Sequence, residues 1–421
     1  MMTAFSERAP NPVDALRLPE IRAFIGAIGS FTFASRALAV VIGFQIYQIT
    51  HSALSLGWLG LIEAIPALSL VLFGGYVADH FDRRKILLIT RSASLLCALT
   101  LAALSLQGGK ETLLGLYAVI FLAGIARGFA DPANAAFESQ IVPKHLTING
   151  SSWISSMWIS ASIIGPGVIG FIFEAQGAVG AYVTIAAFFL LSLLATIAMP
   201  SRPLPTPEKK DPLLKSIALG WQFVFSRQPL WGAMALDLFA VLFGGAIALL
   251  PIYASDILHV GAKGLGLLNA ATSIGALLTT LAATRHPPIA RAGRNLFIAV
   301  LGFGISILVF AFSRNFWLSM TALFFSGAFD GISMVIRRSM TRLLTPNELR
   351  GRVSSVDFIF ICASNELGAF ESGLVAAWIG TVPCVAAGGL LTFLVAGLTA
   401  WLAPELRRLR FDPKTMEQKT S

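Results

Sequence analysis

The feature that most constrains this chain is a succession of long apolar runs separated by short polar segments. A helix needs about 20 mainly apolar residues to cross a lipid bilayer. Twelve such runs occur, at residues 21–49, 53–79, 86–107, 112–137, 147–174, 178–199, 229–256, 263–284, 294–313, 316–342, 348–376 and 381–403. Only 13% of the 421 residues are charged and 56% are hydrophobic, whereas soluble domains carry about 25% charged residues. The sequence therefore predicts an all-α membrane protein with twelve transmembrane helices.

The positions of the basic residues predict how the chain lies across the membrane. If the N-terminus is inside and the runs alternate, 26 of the 31 Lys and Arg residues fall in inner segments and three in outer segments. Arg91 and Arg337 are counted among the inner residues, and Arg36 and Arg127 lie within runs. Because cytoplasmic segments retain Lys and Arg, both termini are expected in the cytoplasm. The net charge of +9 then reflects topology, and no nucleic-acid partner is expected.

A charged, proline-rich segment divides the predicted helices into two sets of six. It begins with PSRPLPTPEKKDP at residues 200–212, which is typical of an extended linker. The following stretch, Leu213–Ser226, is predicted to form a short helix on the membrane surface. The predicted organisation is a cytoplasmic N-terminal segment at 1–20, a six-helix bundle at 21–199, a cytoplasmic linker with the surface helix at 200–228, a second six-helix bundle at 229–404 and a cytoplasmic tail at 405–421.

The two halves carry matching features. Residues 141–152 (IVPKHLTINGSS) and 343–355 (LLTPNELRGRVSS) both place a proline and a polar helix start before an apolar helix. When Pro143 is aligned with Pro346, Gly165 falls on Gly368. This shared offset predicts two homologous, pseudo-symmetric bundles.

The turn after the second run, GGYVADHFDRRK at residues 74–85, places two acids and three strong bases within twelve residues. Gly75 would let two helices approach closely, Asp79 could accept hydrogen bonds from a facing helix N-terminus, and Arg83 could form a fork on a carboxylate. A turn held in the cytoplasm needs only bases such as Arg83 and Arg84. The glycine and the aspartate are surplus to that role, so these four residues are also predicted to form a latch between the two bundles.

Two repeated six-helix bundles, a central linker and this charged turn resemble the major facilitator superfamily of secondary transporters. The turn resembles the superfamily's signature between the second and third helices at Gly75, Asp79, Arg83 and Arg84, with His80 where Arg is usual and Asp82 where Gly is usual. The variant DHFDRRK is similar to that of the bacterial drug and siderophore exporters of the superfamily. The resemblance implies a monomeric carrier in the bacterial inner membrane that works by alternating access and needs no cofactor. Its expected partners are a small-molecule substrate, protons and the lipid bilayer.

The fourth predicted helix carries Arg127 in the stretch ARGFADPANAAFESQIVP. A charge in the middle of a membrane helix is costly and marks a functional residue by default. This stretch resembles the exporters closely, and in them the arginine is tied to proton coupling. The alternative is a structural arginine that pairs with Asp131, four residues further along the same helix.

The fifth predicted helix contains SIIGPGVIG. Its Gly165, Pro166 and Gly170 resemble the Gly-Pro-x-x-Gly-Gly signature of the antiporters in the superfamily, with Ile169 in place of one glycine. Proline bends a helix, and small residues permit close packing. The resemblance implies export, whereas glycine and proline are also common in membrane helices of other proteins.

Other charged residues within the apolar runs are candidates for proton coupling or substrate binding. Burial in a medium of low dielectric favours the neutral form of a carboxyl group, so any of these acids could carry the coupling proton. The proton-coupling candidates are Glu63, Arg127, Asp131 and Glu366. Glu63 and Glu366 are preferred, each with a purely structural role as the alternative. Arg36 is expected to pair with Glu63. The substrate-cavity candidates are Arg36, Asp237, Asn365 and Glu371. Asp330 and Asp357 are placed nearer the cytoplasmic ends of their helices and are interpreted as structural.

Enzyme and channel functions are less favoured. The five histidines lie far apart, so no metal site is expected, and the chain lacks the G-x-x-x-x-G-K-[ST] loop that binds ATP phosphates. A channel has no need of two repeated bundles with a latch. The predicted function is proton-coupled export of an amphipathic small molecule, such as a drug or a siderophore. Transport of a lysophospholipid or another lipid, and import of a small metabolite, remain open.

Overall fold

A computed structural model describes residues 14–109, 112–202, 213–346 and 349–411 of the chain. These residues fold almost entirely into helices. The α-helices are α1 (Pro19–Thr50), α2 (Ala53–His80), α3 (Arg83–Gln107), α4 (Thr112–Ile141), α5 (Thr147–Ile197), α6 (Leu213–Ser226), α7 (Gln228–Gly244), α8 (Leu250–Ile252), α9 (Gly261–Arg285), α10 (Ala292–Phe312), α11 (Phe316–Leu344), α12 (Arg350–Ile379), α13 (Thr381–Leu402) and α14 (Pro404–Arg408).

The twelve predicted spans are all present. Within the described residues, eleven helical segments are long and apolar enough to cross a membrane. The longest, α5, contains two spans, because Gly177 has a non-helical backbone with φ of 70° and ψ of −172°. Glycine adopts positive φ without the steric penalty that other residues meet. The break at Gly177 lies between the predicted runs 147–174 and 178–199, so the sequence placed both helices correctly.

The seventh span is irregular. Helix α7 ends at Gly244, and the chain continues through a 3-10 turn at Ala246–Leu249, the short α8 and a π-helical turn at Tyr253–Ile257. Gly245 is not helical, with φ of −69° and ψ of 55°. Irregular backbone within a span is tolerated where other parts of the protein cover it, and Leu249, Leu250 and Tyr253 are fully buried here.

The described residues form two compact units. The first unit combines the residues up to Val41 with those from Ile65 to Arg202, and the second combines Ile42–Ala64 with the residues from Leu213 onward. In sequence, the last boundary between the two units falls within the predicted linker, of which residues 203–212 lie outside the described ranges. Segment 42–64, the end of α1 and the beginning of α2, is grouped with the second unit.

The packing of segment 42–64 explains this grouping. Gly57 packs directly on Gly373 of α12, since a Cβ atom on Gly57 would lie 3.2 Å from the Cα atom of Gly373. The Trp58 ring packs against Phe370 with 5.3 Å between centroids. The Tyr47 hydroxyl donates a hydrogen bond to the Asp256 carboxylate.

The predicted surface helix is confirmed as a helix with the predicted limits, Leu213–Ser226. It packs within the second unit, where Val224 joins Leu230, Val353 and Val356 in a small apolar core. Its placement on a membrane surface stays a prediction.

Candidate functional site

The charged turn is built around Arg83, which is only 7% exposed. Its Nε donates to the carbonyl oxygen of Ala78 at 2.9 Å, and Nη1 donates to that of Ala136 at 3.0 Å. Its Nη2 lies 3.9 Å from Oδ1 of Asp79. The guanidinium therefore ties the end of α2 to the end of α4 mainly through carbonyl oxygens, and the predicted fork on a carboxylate is not formed with Asp79.

Arg84 and Asp82 hold the beginning of α3. Oδ1 of Asp82 accepts a hydrogen bond from the backbone N–H of Arg84 at 2.9 Å, which is the usual N-cap contact. The Arg84 side chain donates to the carbonyl oxygens of Thr196 and Ile197, at 3.3 and 2.7 Å. The last carbonyl oxygens of a helix have no hydrogen-bond donor within the helix. At the end of α5, the Arg84 side chain is the donor to two of them. The departure from glycine at Asp82 thus gives α3 its cap.

Gly74 makes the close helix contact that the sequence analysis assigned to Gly75. A Cβ atom on Gly75 would meet no atom within 4 Å, whereas one on Gly74 would clash with the carbonyl oxygen of Gly128 and lie 3.1 Å from the Cα atom of Phe129. The assignment of the contact to Gly75 is wrong for this structure. Adjacent residues point about 100° apart around a helix, so only one of the two faces α4. The latch role of Gly75, Asp79, Arg83 and Arg84 stays a prediction.

Arg127 and Asp131 form the predicted ion pair in the middle of a span. Nε of Arg127 lies 3.7 Å from Oδ2 of Asp131, and the two side chains are 43% and 47% exposed. Arg127 is 15 residues after the beginning of α4 and 14 residues before its end, or about 20 Å from either end at 1.5 Å per residue. Charged side chains at this depth face protein or water rather than lipid. The pair is therefore accessible at mid-helix depth in the first unit.

Arg36 lies near the middle of α1 and is also exposed. Its guanidinium carbon is 5.6 Å from the centroid of the Trp158 ring of α5, which is within the range of a cation–π interaction. Trp158 itself is 46% exposed. The first unit thus presents a basic group beside a large aromatic ring. The predicted pairing of Arg36 with Glu63 stays a prediction.

The three residues of the antiporter-like stretch, Gly165, Pro166 and Gly170, are all buried. A Cβ atom on Gly165 would lie 2.8 Å from the carbonyl oxygen of Phe33 in α1, so this glycine permits close packing of the two helices. Helix α5 continues through Pro166, and its non-helical residue is Gly177. The link between this stretch and the direction of transport stays a prediction.

In the second unit, Asp237 is paired with Arg337. Oδ1 of Asp237 lies 2.8 Å from Nη2 of Arg337, and the two side chains are 9% and 7% exposed. Nε of Arg337 donates to the Ser333 hydroxyl at 3.4 Å. The role of Asp237 as a substrate-cavity residue stays a prediction. The assignment of Arg337 to a cytoplasmic segment is wrong, because it lies buried within α11.

Two more acids belong to this buried cluster. Asp330 and Asp357 are close enough to interact electrostatically with Arg337. Oδ1 of Asp357 is buried and makes no hydrogen bond to the rest of the described chain. Asp330 lies 14 residues from each end of α11, so its predicted position near the cytoplasmic end is wrong.

The remaining candidates lie on α12. Asn365 is exposed and donates to the carbonyl oxygen of Ile361 at 2.8 Å. Glu366 is half-buried and lies 16 residues into the helix of 30. Glu371 is half-buried, and its carboxylate accepts a hydrogen bond from the Ser372 hydroxyl at 3.5 Å. The structure thus places Asn365 and Glu366 at mid-span on α12, and their roles stay predictions.

Arg91 is a buried charge that the sequence analysis missed. It was counted with the cytoplasmic residues, yet it lies within α3 and is 1% exposed. Its Nη1 donates to the carbonyl oxygen of Ser192 at 3.3 Å and its Nη2 to Oδ1 of Asn134 at 3.2 Å, and its guanidinium carbon lies 5.9 Å from the Phe31 ring centroid. The side chain therefore holds α1, α3, α4 and α5 together.

Comparison with known proteins identifies the family. The family described as transmembrane secretion effector matches residues 7–417 of the chain. The chain belongs to this family. This transmembrane secretion effector is a major facilitator superfamily transporter of small molecules and not an enzyme, in agreement with the resemblance found in the sequence.

Relatives of this secretion effector include proteins named enterobactin exporter EntS. The protein of Escherichia coli (strain SMS-3-5 / SECEC) is 24% identical over 386 residues, which cover 91% of this chain and 92% of the relative. The protein of Shigella boydii serotype 18 (strain CDC 3083-94 / BS512) is 24% identical over 378 residues, which cover 89% and 90%.

Solved structures confirm the fold. A POT family transporter in complex with a thioalcohol conjugated peptide superposes with a TM-score of 0.72 at 12% identity, over 92% of this chain and 96% of that chain. The nucleoside transporter NupG gives a TM-score of 0.72 at 14% identity, over 90% and 98%. The predicted major facilitator fold is thus confirmed.

Proposed function

We propose that this protein is a proton-coupled exporter of an amphipathic small molecule, a drug or a siderophore, in the bacterial inner membrane. The observation that carries the proposal is the correspondence with the enterobactin exporters over 91% of the chain. Because the correspondence includes both units, it extends to the whole carrier rather than to one bundle. The proposed orientation, with both termini in the cytoplasm, rests on the excess of Lys and Arg in the inner segments.

The Arg127–Asp131 pair is the proposed point at which the proton and the substrate compete. When Asp131 is ionised, it offsets the charge of Arg127 across 3.7 Å. A proton on Asp131 removes that interaction, so that an anionic group of the substrate competes more effectively for Arg127. Arg36 and the exposed Trp158 ring add a second basic group and an apolar surface in the same unit. An amphipathic anion matches this combination.

The proton is carried by a membrane-embedded acid in this scheme. Asp131 is the first choice because its charge partner is known, and Glu63 and Glu366 are the other two candidates. The transport cycle follows alternating access, in which a central site opens to one side of the membrane at a time. Proton binding shifts the equilibrium between the inward-open and outward-open states only if the proton binds one of these states more tightly than the other.

The contacts of segment 42–64 are proposed to change during this cycle. In the proposed orientation, the turn at His51 and Ser52 lies on the outer side. Tyr47, Gly57 and Trp58 hold this outer end through contacts with Asp256, Gly373 and Phe370, respectively. Release of substrate to the outside then requires these contacts to separate.

Inside-out membrane vesicles from cells that produce the protein test the proposal. After the vesicles are energised, a pH-sensitive dye reports the proton gradient while enterobactin, amphipathic drugs or a lysophospholipid are added. A proton-coupled exporter dissipates the gradient when it receives its substrate, and Asp131→Asn abolishes the response. The matched control is Glu405→Gln, which changes an exposed acid of α14 and should respond like the wild type.

The other functions give different results in these vesicles or in intact cells that produce the protein. Uptake into intact cells that is driven by an inward proton gradient identifies an importer. Flux that does not saturate and ignores the gradient identifies a channel. A response to the lysophospholipid alone identifies a lipid carrier. Any of these three results contradicts the proposed export of a drug or siderophore.

A further inference from the structure

A groove opens on the surface of the second unit between α10 and α13. It has a volume of about 790 Å³ and combines a basic rim with an apolar floor. The rim consists of Arg291, Arg294, Arg407, Arg408 and Arg410. The transport proposal uses none of these residues.

Residues 404–410 contact the beginning of α10 and contribute three of the five arginines of this rim. The backbone N–H of Gly293 donates to the carbonyl oxygen of Leu409 at 3.2 Å. Leu406 of α14 and Ala292 of α10 are both 0% exposed. These contacts fix the three arginines of the C-terminal segment beside the two arginines at the beginning of α10.

Within residues 213–346 and 349–411, no acid offsets the positive charge of the rim. All five arginines are exposed, and none of the described residues that line the groove is acidic. Within the described part of the chain, none of the five side chains forms a hydrogen bond or an ion pair. Five like charges at one site repel each other, so an anion at the rim would relieve this repulsion.

The floor of the groove is apolar and open. It is formed by Phe297, Ile298 and Leu301 of α10, and by Phe393, Gly397 and Ala400 of α13. The spacing of the last three residues places them on one face of the helix. A Cβ atom on Gly397 would meet no atom within 4 Å, so the space above this glycine is free. Since α10 and α13 are both membrane spans, the floor leads from the rim into the apolar layer.

We propose that this groove binds an anionic phospholipid, with its phosphate on the arginine rim and an acyl chain along the apolar floor. Guanidinium groups bind phosphate oxygens in pairs of hydrogen bonds, and basic pockets between membrane helices suit acidic lipid head groups. A soluble phosphate would occupy only the rim, and a neutral lipid only the floor. A lipid with two phosphates satisfies more of the five arginines, so cardiolipin binds more tightly than phosphatidylglycerol.

Native mass spectrometry of the full-length protein in detergent tests the head-group contact. Cardiolipin, phosphatidylglycerol and phosphatidylethanolamine are titrated separately, and the order of affinity is cardiolipin, then phosphatidylglycerol, with phosphatidylethanolamine weakest. The double variant Arg294→Gln/Arg408→Gln weakens cardiolipin binding by roughly 25-fold, or about fivefold for each charge. The charge-matched control is Arg285→Gln/Arg342→Gln, which removes two exposed arginines outside the groove and leaves the affinity unchanged. Equal losses in both double variants overturn the proposal.

A second variant tests the acyl-chain contact without changing charge. Gly397→Leu fills the floor and reduces cardiolipin affinity about tenfold by excluding several methylene groups. The control is Gly26→Leu, at another glycine with free space beside it, which leaves the affinity unchanged. Unchanged binding in Gly397→Leu, or equal competition by glycerol phosphate without acyl chains, overturns the lipid assignment. Binding that occurs only after removal of residues 412–421 makes the chain's own tail the occupant and also overturns it.

Discussion

Gly165 and Gly368 make equivalent contacts in the two halves of the chain. A Cβ atom on Gly165 would lie 2.8 Å from the carbonyl oxygen of Phe33, and one on Gly368 would lie 2.8 Å from that of Leu242. In each half, the fifth span approaches the first span of the same half at a glycine. The repeat that was predicted from the offset between Pro143 and Pro346 is thus present in the packing.

This equivalence predicts matched effects of alanine at the two glycines. Gly165→Ala and Gly368→Ala each place a methyl group against a backbone oxygen that cannot move away easily, which costs about 1–3 kcal/mol. Thermal unfolding in detergent should show a lower melting temperature for both variants. Gly26→Ala is the control, since its Cβ atom has free space. Melting temperatures equal to that of Gly26→Ala would contradict the close contacts.

The buried pair of Asp237 and Arg337 predicts a strong asymmetry between single and double variants. Asp237→Asn or Arg337→Gln alone leaves the opposite charge buried, and this destabilises the protein by about 3–5 kcal/mol. The double variant Asp237→Leu/Arg337→Met removes both charges and should recover part of the loss, because Asp330 and Asp357 also lose the Arg337 charge. A double-mutant cycle on unfolding in denaturing detergent measures the coupling. Additive effects would show that the two charges do not depend on each other.

The two neighbours Arg84 and Lys85 predict different effects of the same substitution. Arg84→Gln removes the two hydrogen bonds to Thr196 and Ile197 and should lower the free energy of unfolding by about 1–2 kcal/mol. Lys85→Gln removes an equal charge from an exposed position and should have little effect on stability. If both variants melted at the same temperature, the hydrogen bonds of Arg84 would not contribute to stability beyond the loss of one positive charge.

The latch hypothesis for the charged turn predicts a kinetic effect at Asp79. Asp79→Asn should lower the maximal transport rate more than the apparent affinity for substrate, because a latch controls the change of state and not the binding site. Initial rates of transport across a range of substrate concentrations separate the two parameters. Unchanged rates would remove Asp79 from the latch.

The architecture was predictable because the bilayer dictates it. The length and apolar character of the runs predicted twelve spans, even at Gly177, where one continuous helical segment contains two spans. The Arg127–Asp131 pair was also predictable, since residues four apart on a helix lie on the same face.

The partners of the buried charges could not be predicted in the same way. Asp237 and Arg337 are 100 positions apart in the sequence, and counting charges between apolar runs does not reveal which arginine near a helix end turns inward. Arg91 was misplaced for the same reason. Gly74 and Gly75 are adjacent residues of the same type, so the sequence does not show which of them contacts α4. The packing of the two helices decides it.

Transport by the purified protein in liposomes tests the central claim most directly. The protein is reconstituted, a proton gradient is imposed, and accumulation of enterobactin or an amphipathic drug is measured against concentration. The account predicts saturable transport opposite to the proton flux, which stops when the gradient is collapsed and in Asp131→Asn. Saturable transport that is unaffected by the gradient and by Asp131→Asn would contradict it.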